Sequence, residues 1–219
     1  MLQETEHLTL QNFHHEKWVG YRSEDGRATT FARDNFVIRK ALATTRSITI
    51  AVGDLCIQNL YLPDSTYGNE SYFAELQKLP GVYKKLQLQG TRHKLLGMDA
   101  QVGVPPNVRN ITGQNTGPTP HNATEQWLHR QQRLVSTMQK LGLRLQNTFE
   151  ADLAPATFWM HGNRNNPGLQ YDYIGLSKHL TATVHSLAHP MLQGDHAPLL
   201  LATKVDKCLR KTFQASMVG

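Results

Sequence analysis

The stretch from Arg46 to Leu62 constrains the fold more than any other part of the chain. Ser47, Ile48, Thr49, Ile50, Ala51 and Val52 form one β-rich run, Gly53-Asp54 is a two-residue turn signal, and Leu55 to Leu62 forms another β-rich run. The spacing predicts a hairpin. Pro63 cannot continue the ladder, so the second strand stops there and leaves Tyr61 near its exit. Further strands are expected at 27–33, at His93 to Leu96 running out to Gly97 and Asp99, and at 143–148, 156–160, 170–177, 181–187 and 198–203. Helical spacing occupies 70–89, with a break at Pro80-Gly81. A second helix over 123–142 carries Trp127, Leu128, Leu134, Val135, Met138 and Leu141 on one stripe and stops at Gly142. The Gly-, Pro-, Asn- and Thr-rich stretch 103–122 reads as a long surface loop. Many strands with few helices imply an α+β layered sandwich, helices outside and sheets inside.

Composition narrows the function classes. A chain of 219 residues can bury one core of ordinary size, and residues 1–219 read as a single domain without internal repeats or low-complexity tracts. An apolar fraction of 39% and a mean hydropathy of −0.46 are those of a globular protein. No apolar run nears the roughly 20 residues that span a bilayer, and the start lacks a signal-peptide profile, so an intracellular location is expected, the nucleus included. Cys56 and Cys208 stand far apart, which argues against a disulfide scaffold and against a zinc finger. The net charge of +6 and pI near 9.4 favour a polyanionic partner.

Two pairs carry the chemistry: Asp172-Tyr173 within Gln170-Tyr171-Asp172-Tyr173-Ile174, and Asp195-His196 within Gly194-Asp195-His196-Ala197-Pro198. Each sets a carboxylate at the edge of an apolar strand, and the second joins it directly to an imidazole. Acidic residues recur in Leu2-Gln3-Glu4-Thr5 and in Gly97-Met98-Asp99-Ala100-Gln101, the layout of a metal site assembled across two sheets. Taken singly, each residue has an ordinary structural reading. Glu4 is a solvated charge, Tyr61 a half-buried strand residue, Asp99 a turn residue after glycine, Asp172 the polar face of a strand, and His196 a satisfied histidine. His14, His15, His179, His185 and His189 lack ligand spacing and read as surface residues.

The ordered series Leu2-Gln3-Glu4-Thr5, Asn59-Leu60-Tyr61-Leu62-Pro63, Gly97-Met98-Asp99-Ala100-Gln101, Leu145-Gln146-Asn147-Thr148, Gln170-Tyr171-Asp172-Tyr173-Ile174 and Gly194-Asp195-His196 resembles the endonuclease/exonuclease/phosphatase superfamily. Within it, the sequence is most similar to the endonuclease domains of non-LTR retrotransposons, which are parts of reverse-transcriptase polyproteins. The match spans residues 1 to about 203. The resemblance implies a four-layered α/β sandwich of two mixed, mainly antiparallel sheets flanked by helices, with one divalent-metal cleft at the strand ends. It implies that Glu4 and Asp195 hold the metal, usually Mg2+ with Mn2+ as the alternative, and that Tyr61 hydrogen-bonds the scissile phosphate. It implies that Asp99 orients or deprotonates the attacking water, Asp172 fixes the catalytic histidine, and His196 faces the phosphate. The expected activity is metal-dependent phosphodiester hydrolysis, most naturally a DNA endonuclease of retroelement type, with DNA as the partner.

The chain departs from the family pattern in three places. The family precedes its glutamate motif with a strand bearing a metal-side asparagine, and Met1-Leu2-Gln3-Glu4 leaves no room for one, so an N-terminal strand is expected to be missing. Gln101 stands where an asparagine contacts the phosphate, and Asp64 replaces a frequent asparagine, bringing a negative charge toward the substrate. Two alternatives therefore stay open: a degenerate or truncated domain that only binds nucleic acid, and a phosphatase of the same superfamily.

Overall fold

The computed structural model describes residues 2–3, 12–15, 17–87, 90–120, 123–150, 156–162, 165, 168–186 and 194–204. Among them the chain forms an α+β sandwich. Its centre is a six-stranded sheet in the order β5 (Ile38–Ala43), β6 (Ser47–Val52), β7 (Leu55–Tyr61), β8 (His93–Asp99), β10 (Asp172–Ser177), β9 (Leu143–Leu145). Among the described strands only β7 and β8 pair in parallel; α1 (Gly68–Gln87) connects them, as a crossover between parallel strands must. A four-stranded antiparallel sheet has the order β1 (Leu2–Gln3), β4 (Ala28–Arg33), β3 (Trp18–Arg22), β2 (Asn12–His15). Beside them, β11 (Ala182–Ser186) and β12 (Leu199–Thr203) form a two-stranded ribbon.

The period of two along each strand sorts the side chains into layers. On one face of the central sheet Cys56, Leu60, Leu96, Met98, Leu143, Leu145 and Tyr173 meet Tyr72, Leu76, Leu79, Tyr83 and Leu86 of α1 and Leu134, Met138 and Leu141 of α2 (Glu125–Leu141). On the other face Ile50, Val52 and Ile57 pack against Ala32 and Tyr21 of the four-stranded sheet. There too Ile174 and Leu176 pack against Val184, Ala182 and Leu201 of the ribbon. Among the described residues the helices cover one side of the sandwich.

The hairpin forms as its sequence requires: Ser47 pairs with Leu60, Val52 with Leu55, and Gly53 turns the corner at φ +58°. α2 is capped by Thr124, whose side chain accepts from the Trp127 amide, and is ended by the left-handed Gly142.

The structure corrects the expected elements in several places. α1 runs unbroken through Pro80-Gly81. A mid-helix proline costs about 3 kcal/mol, and five large side chains buried along one stripe, at about 1.5–3 kcal/mol each, outweigh it. Residues 103–120 of the expected surface loop are partly core: Val104, Ile111 and Thr112 are buried, and the Ile111 carbonyl accepts from the Leu145 amide. In α2, Leu128 turns out to solvent, while Arg130 is buried and donates to Asn69, Pro63 and Gly68. The strand at 143–148 ends at Leu145 and becomes a 3₁₀ turn over Gln146–Thr148, and 156–160 contributes only isolated bridges, from Phe158 to Leu169 and to His196. β2, β3 and β5 were not anticipated; β5 is an edge strand whose Arg39 and Lys40 hide the alternation, as charged edges do. Cys208 and His189 lie outside the described residues.

Candidate active site

Three neighbouring strands place three of the candidate residues in one row. Tyr61 on β7 is in register with Asp99 on β8, and Asp99 is in register with Asp172 on β10. Leu60, Met98 and Tyr173 point to the helices, so this row points the other way, toward the second layer. β7 and β8 are parallel, so Tyr61 and Asp99 stand at the carboxyl ends of their strands, and the antiparallel β10 brings Asp172 to the same rim from its start.

Over this row lies the segment Gly194–Leu199, fastened on both sides of the histidine. The Trp159 amide donates to the Asp195 carbonyl at 2.7 Å, the Ala197 amide donates to the Thr157 carbonyl at 2.7 Å, and Phe158 bridges His196 itself. Thr157 also serves β10, because its hydroxyl oxygen accepts from the amides of Tyr171 and Asp172. The Phe158 ring lies 5.0 Å from the His196 ring and is stacked 5.2 Å from Tyr171. The imidazole therefore has a packed wall behind it.

His196 Nδ1 lies 2.8 Å from Asp172 Oδ2. Burial works against the imidazolium, yet the hydrogen bond to Asp172 and the charges of Asp172, Asp99 and Asp195 outweigh it and push the His196 pKa up to about 9. The carboxylate fixes Nδ1–H as the donor. Asp99 is almost fully buried, and burial followed by the neighbouring Asp172 charge holds its pKa well above the usual carboxylate range; His196 and the two Gln101 hydrogen bonds oppose that rise. Gln101 reaches both Asp99 oxygens, from its amide nitrogen at 3.2 Å and from its side chain at 2.5 Å. It does so with a backbone φ of +52°, a conformation an asparagine adopts more easily than a glutamine.

Asp99, Asp172, Asp195 and His196, with Asn59, Gly97 and Ile174, line one cleft of about 330 Å³. Of the expected site residues, the structure brings these four together with Gln101 at their side. Tyr61 is buried beside the cleft rather than forming its wall, with the guanidinium groups of Arg27 and Arg46 at 5.2 and 5.9 Å from its ring centroid. Glu4 lies outside the described residues. Asp64 does not face the cleft unopposed: its carboxylate accepts from the Thr66 amide and hydroxyl at the start of a 3₁₀ turn. Although burial opposes ionisation, those bonds and the nearby Arg27 and Arg130 hold its pKa below the ordinary value.

The donor chemistry suits a hard cation, since the residues lining the cleft include three carboxylates and an amide. Among the described residues, no three His, Cys, Asp or Glu side chains form a ligand set by themselves. Asp172 is bonded to His196 and Asp99 to Gln101; Asp195 and Glu4, the latter outside the described residues, are the carboxylates that the resemblance implies for a metal.

Sequence reasoning missed Thr157, Phe158 and Asn147, which position the site. Asn147 lies within a quoted motif, but its role appears only in three dimensions: Nδ2 donates to the Asp172 carbonyl and Oδ1 accepts from the Ile174 amide, both at 3.1 Å. Of the histidines read as isolated surface residues, His185 is exposed, whereas His179 is exposed but packs on His93, with Nε2 2.7 Å from His93 Nδ1.

No protein-family model matches the sequence, and no curated protein matches it. Solved structures do. A 3′ phosphatase, NExo, from Neisseria bound to product DNA hairpin is 15% identical with a TM-score of 0.61, over 86% of this chain and 80% of that one. The 3′-5′ exonuclease NExo from Neisseria meningitidis is 17% identical with a TM-score of 0.56, over 86% and 80%. A mannosyl-6-phosphatase from Bacteroides thetaiotaomicron is 13% identical with a TM-score of 0.56, over 86% and 76%. These likenesses establish the fold, that of the exonuclease/phosphatase-type enzymes. No described helix is long and apolar enough to cross a membrane.

Proposed function

We propose that the chain is a divalent-metal-dependent phosphodiester hydrolase of the endonuclease/exonuclease/phosphatase superfamily, acting on DNA as a retroelement-type endonuclease. The observation that carries this reading is the Asp172–His196 hydrogen bond at 2.8 Å, set in a cleft that also holds Asp99 and Asp195. Solved structures of this fold include enzymes described as an exonuclease and as phosphatases. The retroelement assignment rests on the motif series from Gln3-Glu4-Thr5 to Asp195-His196 and on the +6 charge.

Each residue has a role suited to its surroundings. Asp195 and Glu4 would hold the cation, which when bound offsets the phosphate charge. His196, kept protonated by Asp172, directs Nε2–H at a non-bridging phosphoryl oxygen, where negative charge builds as water adds to phosphorus and the P–O ester bond to the leaving strand breaks, the departing oxygen taking a proton from solvent. Asp99, buried beside the same row, positions the attacking water and takes its proton; the high affinity of this carboxyl for a proton suits it to that step. Gln101 fixes the rotamer of Asp99 through its two bonds. Tyr61, buried beside the cleft, backs the row from the neighbouring strand, so the phosphate contact that the motif implies for it falls to His196.

The test is nicking of supercoiled DNA by purified protein in millimolar Mg2+. Nicking is expected with the unaltered chain and absent with Asp195→Ala or His196→Ala. A folded protein that binds DNA and leaves the plasmid intact at every Mg2+ and Mn2+ level tried would overturn the proposal. Release of inorganic phosphate from a 3′-phosphorylated oligonucleotide without nicking would assign the cleft to phosphatase chemistry.

A further inference from the structure

The central cleft does not use the most concentrated arrangement of cations and aromatic rings beside it. Arg46 follows the Thr44-Thr45 turn just before β6, and its carbonyl accepts from the Tyr61 amide at 3.0 Å, which fixes its backbone next to the Tyr61 strand end. Its guanidinium lies 4.5 Å from the Tyr67 ring centroid and 5.9 Å from that of Tyr61, and Arg27 covers Tyr61 from the four-stranded sheet at 5.2 Å. Arg46 Nη1 is buried from solvent and donates to no group among the described residues, an unusual state for a guanidinium N–H. Tyr67, by contrast, is 44% exposed although it is a large aromatic residue.

We propose that Arg27 and Arg46, braced on Tyr61 and Tyr67, form a second phosphate subsite that holds a nucleic-acid strand a few nucleotides from the phosphate at Asp99 and His196. This rests on the reading of the cleft as a phosphodiester centre and deepens it by placing a second contact with the strand outside that cleft. The geometry gives the reason. Tyr61 and Asp172 are separated by two strand spacings, about 10 Å. Phosphates recur every 3.4 Å or so of axis along one strand, so a single strand lying across the row reaches both places. A small phosphomonoester filling the 330 Å³ cleft has nothing to offer the arginines. Guanidinium groups stacked on aromatic rings lose little freedom when they bind a phosphate, because the planar fork is already oriented.

The decisive experiment is equilibrium binding without catalysis. A fluorescein-labelled duplex is titrated with the full chain in EDTA over a series of NaCl concentrations, and the slope of log affinity against log salt is read. Each phosphate contact contributes about 0.9 to that slope, so Arg27→Gln with Arg46→Gln should reduce it by about 1.8 and weaken binding at least tenfold at 0.1 M salt. Tyr67→Ala keeps both charges, so the slope should hold while affinity falls a few-fold. A folded double variant with the wild-type slope overturns the subsite. If circular dichroism shows the double variant unfolded, Arg46→Lys and Tyr67→Ala decide, and unchanged affinity in both overturns it. Plasmid nicking by the unaltered chain separates the two readings. Nicking with an unmoved slope leaves the phosphodiester centre and removes the subsite; a moved slope without nicking does the reverse.

Discussion

Replacing Asn147 by alanine should loosen the strand that carries Asp172. β9 pairs with β10 only from Gly175↔Leu145 to Ser177↔Leu143, so the next part of β10 has lost its strand neighbour. The Asn147 amide takes the place of that neighbour: Nδ2 donates to the Asp172 carbonyl and Oδ1 accepts from the Ile174 amide, both at 3.1 Å, and the residue has no solvent exposure. Alanine would leave one buried carbonyl and one buried amide without partners. At about 1–3 kcal/mol for each orphaned group, and allowing a water to enter for one of them, the loss is about 2–4 kcal/mol. For a chain of this size that lowers the melting temperature by roughly 4–16 °C. Urea unfolding measures the first quantity, and hydrogen exchange at the Ile174 amide locates it. Because Asp172 rides on this stretch, turnover should fall as well. A loss below about 0.5 kcal/mol, the range of ordinary surface substitutions, with Ile174 still protected, would refute the account of Asn147 as a substitute strand.

Asp172→Asn keeps the shape of the cleft but removes the charge behind His196, so turnover on an oligonucleotide should fall about 100-fold or more, while affinity for the same oligonucleotide in EDTA stays put; equal losses in both would place the aspartate in substrate binding or in the fold. In metal-free protein His196 binds its proton more tightly when folded, with a pKa of about 9 against an ordinary 6.5. Its contribution to stability should therefore be complete below about pH 6.5 and disappear as pH rises through 9; urea unfolding of wild type and His196→Gln across that window should converge at the alkaline end. Gly113→Ala should destabilise by more than about 2 kcal/mol, because the new methyl would sit 2.2 Å from the Thr148 carbonyl oxygen and 2.8 Å from the Phe149 Cα, backbone atoms that cannot turn aside. A melting temperature within 2–3 °C of wild type would show that the loop moves freely.

The parts of the fold legible in the sequence are those where a local pattern and the tertiary environment agree. The β6–β7 hairpin has apolar residues on both faces because it is buried on both, with helices on one side and the four-stranded sheet on the other, and its turn carries its own glycine. α2 has a stripe within its 17 residues, a cap just before them at Thr124 and a left-handed stop just after them at Gly142. Where the two disagreed, burial prevailed. Pro80 marks a break by every local rule, yet Leu79 and Tyr83 on either side of it are buried against the sheet, and the helix continues. Arg130 breaks the apolar stripe of α2 and was unreadable as a core residue, because its three partners come from the segment Pro63–Asn69, more than 60 positions away.

The site divides along the same line. Asp99, Asp172 and His196 could be named from short motifs because each motif fixes its own residue at a strand end or in a loop. Their convergence depends on register, which no motif records: Tyr61, Asp99 and Asp172 form a row only because β7 and β8 pair in parallel while β10 returns antiparallel beside them. The residues that hold the row in place were invisible for the same reason. Thr157 accepts from two amides of the Tyr171-Asp172 pair and gives its carbonyl to Ala197, so one threonine couples the aspartate's strand to the histidine's loop. That coupling sets the 2.8 Å contact between Asp172 and His196 from the backbone outward, which explains why the geometry of the pair does not rely on the side chains alone. Arg27 and Arg46 follow the same logic at the other end of the row: the sequence shows two arginines 19 positions apart, and only the packing of the four-stranded sheet on β6 and β7 brings both onto the ring of Tyr61.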